Sequence, residues 1–101
     1  MRIHVVNPNT TEAMTDKIAA AARAVAAAGT EIIAGQSPMG PASIEGYYDE
    51  ALALPGLLQA IGAADAEGAD GHVMACFEDT CLDAASAVAS ATAVSPFSAA
   101  I

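Results

Sequence analysis

The sequence predicts an α/β fold, an open parallel sheet with flanking helices of the flavodoxin-like kind. Short apolar runs at residues 2–6, 30–34 and 71–75 do not alternate cleanly between apolar and polar residues. This is typical of strands that are buried on both faces of a parallel sheet. Helical patterns lie between the runs and are long enough for crossovers between parallel strands. Such crossovers are right-handed in nearly all proteins.

The first helix is predicted directly after strand one. Its apolar residues recur at steps of three and four and so share one face: Met14, Ile18, Ala21, Ala22 and Val25. Asn9 and Glu12 have the spacing of a capping box, and Gly29 is expected to end the helix.

The second helix is predicted within residues 44–68. Its expected apolar stripe comprises Tyr47, Tyr48, Ala51, Leu52, Leu54, Leu58 and Ile61. Pro55 should kink this helix or begin a new one. A third helix is predicted after strand three, with Thr80 as its cap and Asp83 at the capping-box position. A fourth strand is expected next, and residues 92–97 are the segment that offers it, although Pro96 fits only a strand end or edge.

Composition narrows the classes of partner. The chain of 101 residues corresponds to one small domain, and its 3 basic and 12 acidic residues give a net charge of −9. This charge argues against nucleic acid and anionic membranes as partners. The start of the chain has no secretory pattern, and the uncharged stretch 84–101 is too rich in Ala and Ser, with a Pro inside, to be a membrane span. We therefore expect a cytoplasmic protein with reduced thiols.

The two cysteines, Cys76 and Cys81, leave several interpretations open. Cys76 ends strand three before a helix, and a helix N-terminus lowers a thiol pKa, although the acidic residues that follow oppose this. It is either a reactive thiol or a small buried apolar residue. A disulfide to Cys81 would need the two Cα atoms within about 7 Å, and the spacing matches no C-x-x-C motif. A zinc site that includes His72 is disfavoured because His72 and Cys76 would lie about 13 Å apart on a strand.

Two polar stretches are predicted to meet at one edge of the sheet. Residues 7–10 (NPNT) follow strand one, and residues 76–80 follow strand three. Ligands of open α/β sheets bind beyond the carboxyl ends of the strands. Asn7, Asn9 and Thr10 could form a small anion site there, but the same residues also suit ordinary turn and cap chemistry. Ser43, in the loop after strand two, is expected near the same edge. His4 and His72 are predicted to be packed histidines inside strands, away from that edge.

Three long strings carry a resemblance to a known family. They are MRIHVVNPNTTEAMTDKIAAAA, GPASIEGYYDEALALPGLL and EGADGHVMACFEDTCLDAA, in this order. Together they resemble the N-terminal half of the Asp/Glu/hydantoin racemase family over residues 1 to about 94. The resemblance implies one lobe of a two-lobe α/β fold, with the active site between the lobes.

The resemblance also implies a chemistry. Family members racemise a carbon next to a carbonyl without a cofactor or metal, using one cysteine from each lobe on opposite faces of that carbon. Cys76 matches the first-lobe cysteine and is the expected catalytic residue. Asn7 and Thr10 match the loop near a carboxylate or hydantoin substrate, and Ser43 and Thr80 lie on matching loops and are expected to bind substrate too.

Two departures from the family pattern are visible. Cys81 stands where such sequences commonly have Gly, and residues 95–101 (SPFSAAI) diverge from the family. We therefore predict a racemase-like lobe at 1–94 and a divergent or truncated tail at 95–101, from a fragment or a shifted reading frame, and a chain that is inactive alone.

Two other functions stay open on the residues alone. One is a small flavodoxin-like module that binds an anion without catalysis. The other is a thiol redox module that uses Cys76 and Cys81. Homo-oligomerisation through an exposed face rich in Ala and Leu is also left open.

Overall fold

The computed structural model describes residues 1–75, 82–90 and 92–94. Strands and helices alternate along these residues in the following order: β1 (Arg2–Asn7), α1 (Glu12–Val25), β2 (Glu31–Gln36), α2 (Tyr47–Ala66), β3 (Gly71–Met74), α3 (Leu82–Val88) and β4 (Thr92–Val94). The predicted β-α-β-α-β-α order is confirmed, and β4 forms within the segment expected to supply a fourth strand.

The strands form one sheet in the order β2-β1-β3-β4, and every neighbouring pair is parallel. In register, Val6 pairs with Gly35 on β2 and with Met74 on β3. The predicted open parallel sheet is therefore confirmed. Because the chain passes from β1 outward to β2 and then returns to β3 on the other side, the order reverses between β1 and β3.

Helices cover both faces of the sheet. Successive strand residues point to opposite faces. Val6 of β1 packs with Leu57 and Ile61 of α2 in the main core, and its neighbour Asn7 reaches Thr15 of α1. The main core is completed by Met74, Ala85 and Ala93, so α2 and α3 lie on one face and α1 lies on the other.

The predicted apolar stripe of α1 is displaced from the stripe that packs. Val25 is 84% exposed and Met14 is 45% exposed, whereas Ala19 is buried and Ile18 is half-buried. The charged residues of α1 make the face of Met14 and Val25 look like the inner one, but the neighbouring face around Ala19 packs instead.

The predicted ends of α1 were wrong. The N-cap is Thr11, and the side chain of Asn9 instead bonds within the loop before the helix. Thr11 makes no side-chain cap hydrogen bond, and its hydroxyl donates to the carbonyl of Ala42. The helix ends at Val25, and Gly29 lies in the turn before β2 with a φ of +85°.

The packed face of α2 also differs from the prediction. Tyr47 and Tyr48 are 85% and 78% exposed, while the buried apolar positions follow a regular helical spacing: Ala53, Leu57, Ile61 and Ala64. Pro55 lies inside the helix and does not begin a new one. It cannot bond to the carbonyl of Ala51, but both residues are exposed, so water can satisfy that carbonyl. None of the helices in the described part of the chain is long and apolar enough to cross a membrane.

Candidate functional site

The carboxyl ends of β1 and β3 meet where the strand order reverses. The backbone N–H of Ala75 donates to the carbonyl of Val6 at 2.9 Å, which aligns the two strand ends. From here the chain after β1 leads to α1 on one face, and the chain after β3 leads toward α3 on the other. Such a divergence opens a crevice, the usual ligand site of open parallel sheets. Cys76 follows Ala75 directly in the sequence; Cys76, Thr80 and Cys81 lie outside the described residues.

Asn7 organises the loop that follows β1. Its side chain is 1% exposed. The amide Nδ2 donates to Asn9 Oδ1 at 2.8 Å and to Thr15 Oγ1 at 3.0 Å, and Oδ1 accepts the N–H of Asn9 at 3.2 Å. Asn9 Oδ1 also accepts the N–H of Thr11 at 2.9 Å. Side chains that satisfy the backbone in this way fix a loop without helix or strand structure.

Two residues that the sequence did not single out complete this network. The Thr15 hydroxyl donates to Gln36 Oε1 at 2.6 Å, and Gln36 Nε2 donates to the carbonyl of Thr10 at 3.3 Å. Thr15 and Gln36 are both half-buried. The sequence offers one signal for each residue: Thr15 lies on the packed face of a helix, and Gln36 lies at the end of a strand. A polar side chain that becomes covered at such a position needs a hydrogen-bond partner.

The loop after β2 is tied to the loop after β1. The N–H of Thr10 donates to the carbonyl of Pro41 at 3.1 Å, and the hydroxyl of Thr11 donates to the carbonyl of Ala42 at 2.6 Å. The Thr10 hydroxyl also points to the Gly40 carbonyl at 3.4 Å. Ser43 follows these contacts and is exposed. The structure therefore brings Asn7, Thr10 and the loop of Ser43 together at one edge.

This network changes what the individual side chains can do. The polar atoms of the buried Asn7 are already used within the loop, and the Thr10 N–H is used by Pro41. A direct contact of Asn7 or Thr10 with substrate stays a prediction, whereas their hydrogen bonds give the edge a fixed shape. A preformed polar edge is the kind of surface that binds a small ligand with little ordering cost.

Basic side chains are absent from the two loops at this edge. The three basic residues of the whole chain are Arg2, Lys17 and Arg23, and none lies in loops 7–11 or 37–46. Arg2, at the opposite end of β1, is 2.7 Å from Glu31 through Nε, and this ion pair raises the pKa of the guanidinium. Within the residues that the structure describes, no three His, Cys, Asp or Glu side chains are grouped as metal ligands would be.

Replacing Thr15 with Val should loosen the β1–α1 loop. The change keeps the shape of the side chain but removes the group that accepts from Asn7 and donates to Gln36. We expect the free energy of unfolding to fall by about 1–2 kcal/mol, because partners in a half-buried network lose their hydrogen bonds. Urea denaturation measures this, with Thr15→Ser as the matched control. Equal midpoints for Thr15→Val and the parent chain would show that the network contributes nothing.

The comparisons with known proteins agree on one family. The family model Asp/Glu/Hydantoin racemase matches residues 3–101. The hydantoin racemase of Pseudomonas sp. (strain NS671) is 51% identical over 85 residues, and that of Rhizobium meliloti is 45% identical over 89 residues. These matches cover 84% and 88% of this chain.

Solved structures support the same relationship. The allantoin racemase from Klebsiella pneumoniae superposes with a TM-score of 0.94 at 52% identity over 99% of this chain. The allantoin racemase from Pseudomonas fluorescens gives 0.87 at 34% identity over 94% of the chain. The chain spans 34% and 37% of the two hydantoin racemases and about two fifths of the two solved chains. With the fold, the site edge and the family model in agreement, the chain belongs to the Asp/Glu/hydantoin racemase family.

Proposed function

We propose that this chain is one lobe of a cofactor-independent racemase and that Cys76 is its acid/base residue. One observation carries the proposal: the residue that follows Ala75, at the reversal point between β1 and β3, is a cysteine. Ala75 itself is bonded to Val6, beside the loop after β1 that Asn7, Thr15 and Gln36 hold. A strand end at such a point is where open α/β proteins place reactive groups.

The chemistry requires two groups on opposite faces of one carbon. Racemisation removes a proton from a carbon next to a carbonyl, and inversion needs an acid that returns a proton to the other face. A thiolate can take the proton when its pKa is tuned by the closed site. The second acid/base group would come from a second lobe, since the relatives are more than twice as long as this chain.

We further propose a 5-substituted hydantoin ring as the substrate. The four similar proteins named above are hydantoin or allantoin racemases, and allantoin is itself a hydantoin with a ureido group at C5. The hydantoin ring is uncharged at neutral pH, whereas aspartate and glutamate carry two carboxylates. With a net charge of −9 and no basic residue in loops 7–11 or 37–46, this lobe favours the uncharged ring.

A chimera tests the activity and the substrate class. Residues 1–94 would replace the matching segment of the Klebsiella pneumoniae allantoin racemase, to which the chain is 52% identical. We expect the chimera to racemise allantoin or a 5-alkylhydantoin, followed by polarimetry, and the isolated 101-residue chain to be inactive. Turnover of aspartate or glutamate alone would reject the substrate class, and strong turnover by the isolated chain would reject the need for a second lobe.

The runner-up is a small anion-binding module without catalysis, held by the loop of Thr10. A folded chimera that binds a small carboxylate but never exchanges the C5 proton of a hydantoin would favour it. We also propose that the protein is cytoplasmic, because a catalytic thiol stays reduced there.

We propose in addition that the chain self-associates, which sedimentation would measure.

A further inference from the structure

Both histidines of the chain lie side by side in the centre of the sheet. His4 of β1 and His72 of β3 are register partners, are 2% and 1% exposed, and have their Nδ1 atoms 2.9 Å apart. A hydrogen bond between two Nδ1 atoms contains one proton, so one ring donates and the other accepts. Two imidazolium rings would place two N–H groups against each other and break this bond.

Asp65 of α2 decides which ring donates. Its Oδ1 lies 2.8 Å from His72 Nε2, and because a carboxylate only accepts, that nitrogen carries a proton. A neutral His72 then accepts at Nδ1, so His4 donates from its own Nδ1. The remaining nitrogen, His4 Nε2, lies against Gly35 of β2, where an added Cβ would overlap it. The hydrogen bonds therefore run from His4 to His72 to Asp65.

The second oxygen of Asp65 holds the turn between α3 and β4. Oδ2 accepts the backbone N–H of Ser90 at 2.6 Å and its hydroxyl at 3.1 Å. One carboxylate thus joins the centre of the sheet to the turn before β4. We propose that His4, His72, Asp65 and Ser90 form an acid-sensitive latch: the carboxylate of Asp65 fixes this turn against α2, and the latch is destabilised when protonation of His4 charges the buried pair.

The groups around the two histidines determine how acidification acts on the latch. Burial, and then the neighbouring His72, lower the pKa of His4 to about 4, although Asp65 acts in the opposite direction. The hydrogen bond from His72, and then the N–H of Ser90, lower the pKa of Asp65 to about 2, so Asp65 stays ionised in the pH range where His4 takes up its proton. The other described charge on β1, Arg2, is engaged by Glu31, and on β2 the glycine Gly35 lies against the His4 ring.

The direction in which stability changes with pH follows from proton uptake. Between pH 4 and 6.5 the unfolded chain, with ordinary histidines, binds more protons than the folded chain, so acidification favours unfolding. For His4 alone we expect the unfolding equilibrium constant to rise about 300-fold as the pH falls through this window. The stability that the neutral ring contributes is fully present above pH 6.5.

Nitrogen-15 NMR of the intact chain at pH 8 tests which ring nitrogen of each histidine carries the proton. The chain has 2 histidines, so every imidazole signal belongs to this pair. We expect His72 with its proton on Nε2 and His4 with its proton on Nδ1. Two rings that both carry the proton on Nε2 would leave no donor between them and would overturn the proposal.

The latch is tested by titration. On acidification, the amide signal of Ser90 should move with the histidine signals, while that of the exposed Ser86 in α3 should not follow the histidine transition. A Ser90 amide that stays unchanged while both histidines titrate would overturn the proposal. In His4→Leu, the unfolding equilibrium constant should lose the rise of about 300-fold that is assigned to His4 between pH 6.5 and 4. An undiminished pH dependence would contradict it, and if this variant fails to fold, the signals of the parent chain decide.

Discussion

Cys76→Ser is expected to lower kcat/KM of the chimera by about 1,000-fold for both enantiomers of a 5-substituted hydantoin. An alcohol has a far higher pKa than a thiol, so serine cannot serve as the base near neutral pH. General acid–base groups typically contribute 100- to 10,000-fold. Racemisation must slow in both directions because the same group removes the proton from one enantiomer and returns a proton when the other enantiomer is the substrate. Polarimetry from each pure enantiomer measures the two rates.

Cys81→Ser is the matched control, since it makes the same chemical change five positions along the chain. We expect the control to keep the activity of the chimera within about two-fold, because the resemblance assigns no role to Cys81. Equal losses in Cys76→Ser and Cys81→Ser would favour the thiol redox reading, in which the two cysteines act as a pair. Full activity in Cys76→Ser would remove this residue from the mechanism.

Gly56→Ala should lower the free energy of unfolding by about 2–3 kcal/mol. Gly56 lies inside α2 and is buried against the loop after β2. An added Cβ would overlap Ser37 Oγ and lie 2.6 Å from the backbone oxygen of Met39, so the loop itself would have to move. Overpacking costs about 1–3 kcal/mol, and the displaced Ser37 also loses its hydrogen bond to Met39.

Gly62→Ala in the same helix is the control for this change. Nothing lies within 4 Å of a Cβ at Gly62, so the substitution should stabilise the chain by about 0.5–1 kcal/mol through helix propensity alone. Chemical denaturation of the two variants separates packing from propensity. If Gly56→Ala were as stable as Gly62→Ala, the close packing of α2 on the loop that holds Thr10 and Thr11 would be wrong.

The fold was largely predictable because buried parallel strands have a strong signal. Continuous apolar runs placed β1, β2 and β3 within two residues of their observed bounds. Helix faces were harder to predict. In α1 the apolar pattern pointed to the face of Met14 and Val25, although the neighbouring face packs. In α2 apolar residues lie on every side, and the large Tyr47 and Tyr48 suggested a packed face although both are exposed. Which face packs depends on the angle at which each helix crosses the sheet, and periodicity does not contain that angle.

The position of the candidate site could be predicted from the sequence, but its hydrogen-bond partners could not. The carboxyl edge follows from the alternation of strands and helices, so Asn7 and Thr10 could be assigned to it from sequence. The partners Thr15 and Gln36 could not, because their hydrogen bonds join segments 8 to 26 residues apart in the chain. For the same reason the pairing of His4 with His72 needed the register of β1 against β3.

The most direct test of the central claim, that Cys76 is one of two bases on opposite faces of the substrate carbon, is racemisation of a single enantiomer by the chimera in D₂O. Two bases predict that early product carries deuterium at C5 while the remaining substrate keeps its proton, and that Cys76→Ser slows this conversion by about 1,000-fold. Deuterium entering the remaining substrate as fast as product forms, or conversion that persists in Cys76→Ser, would contradict the account.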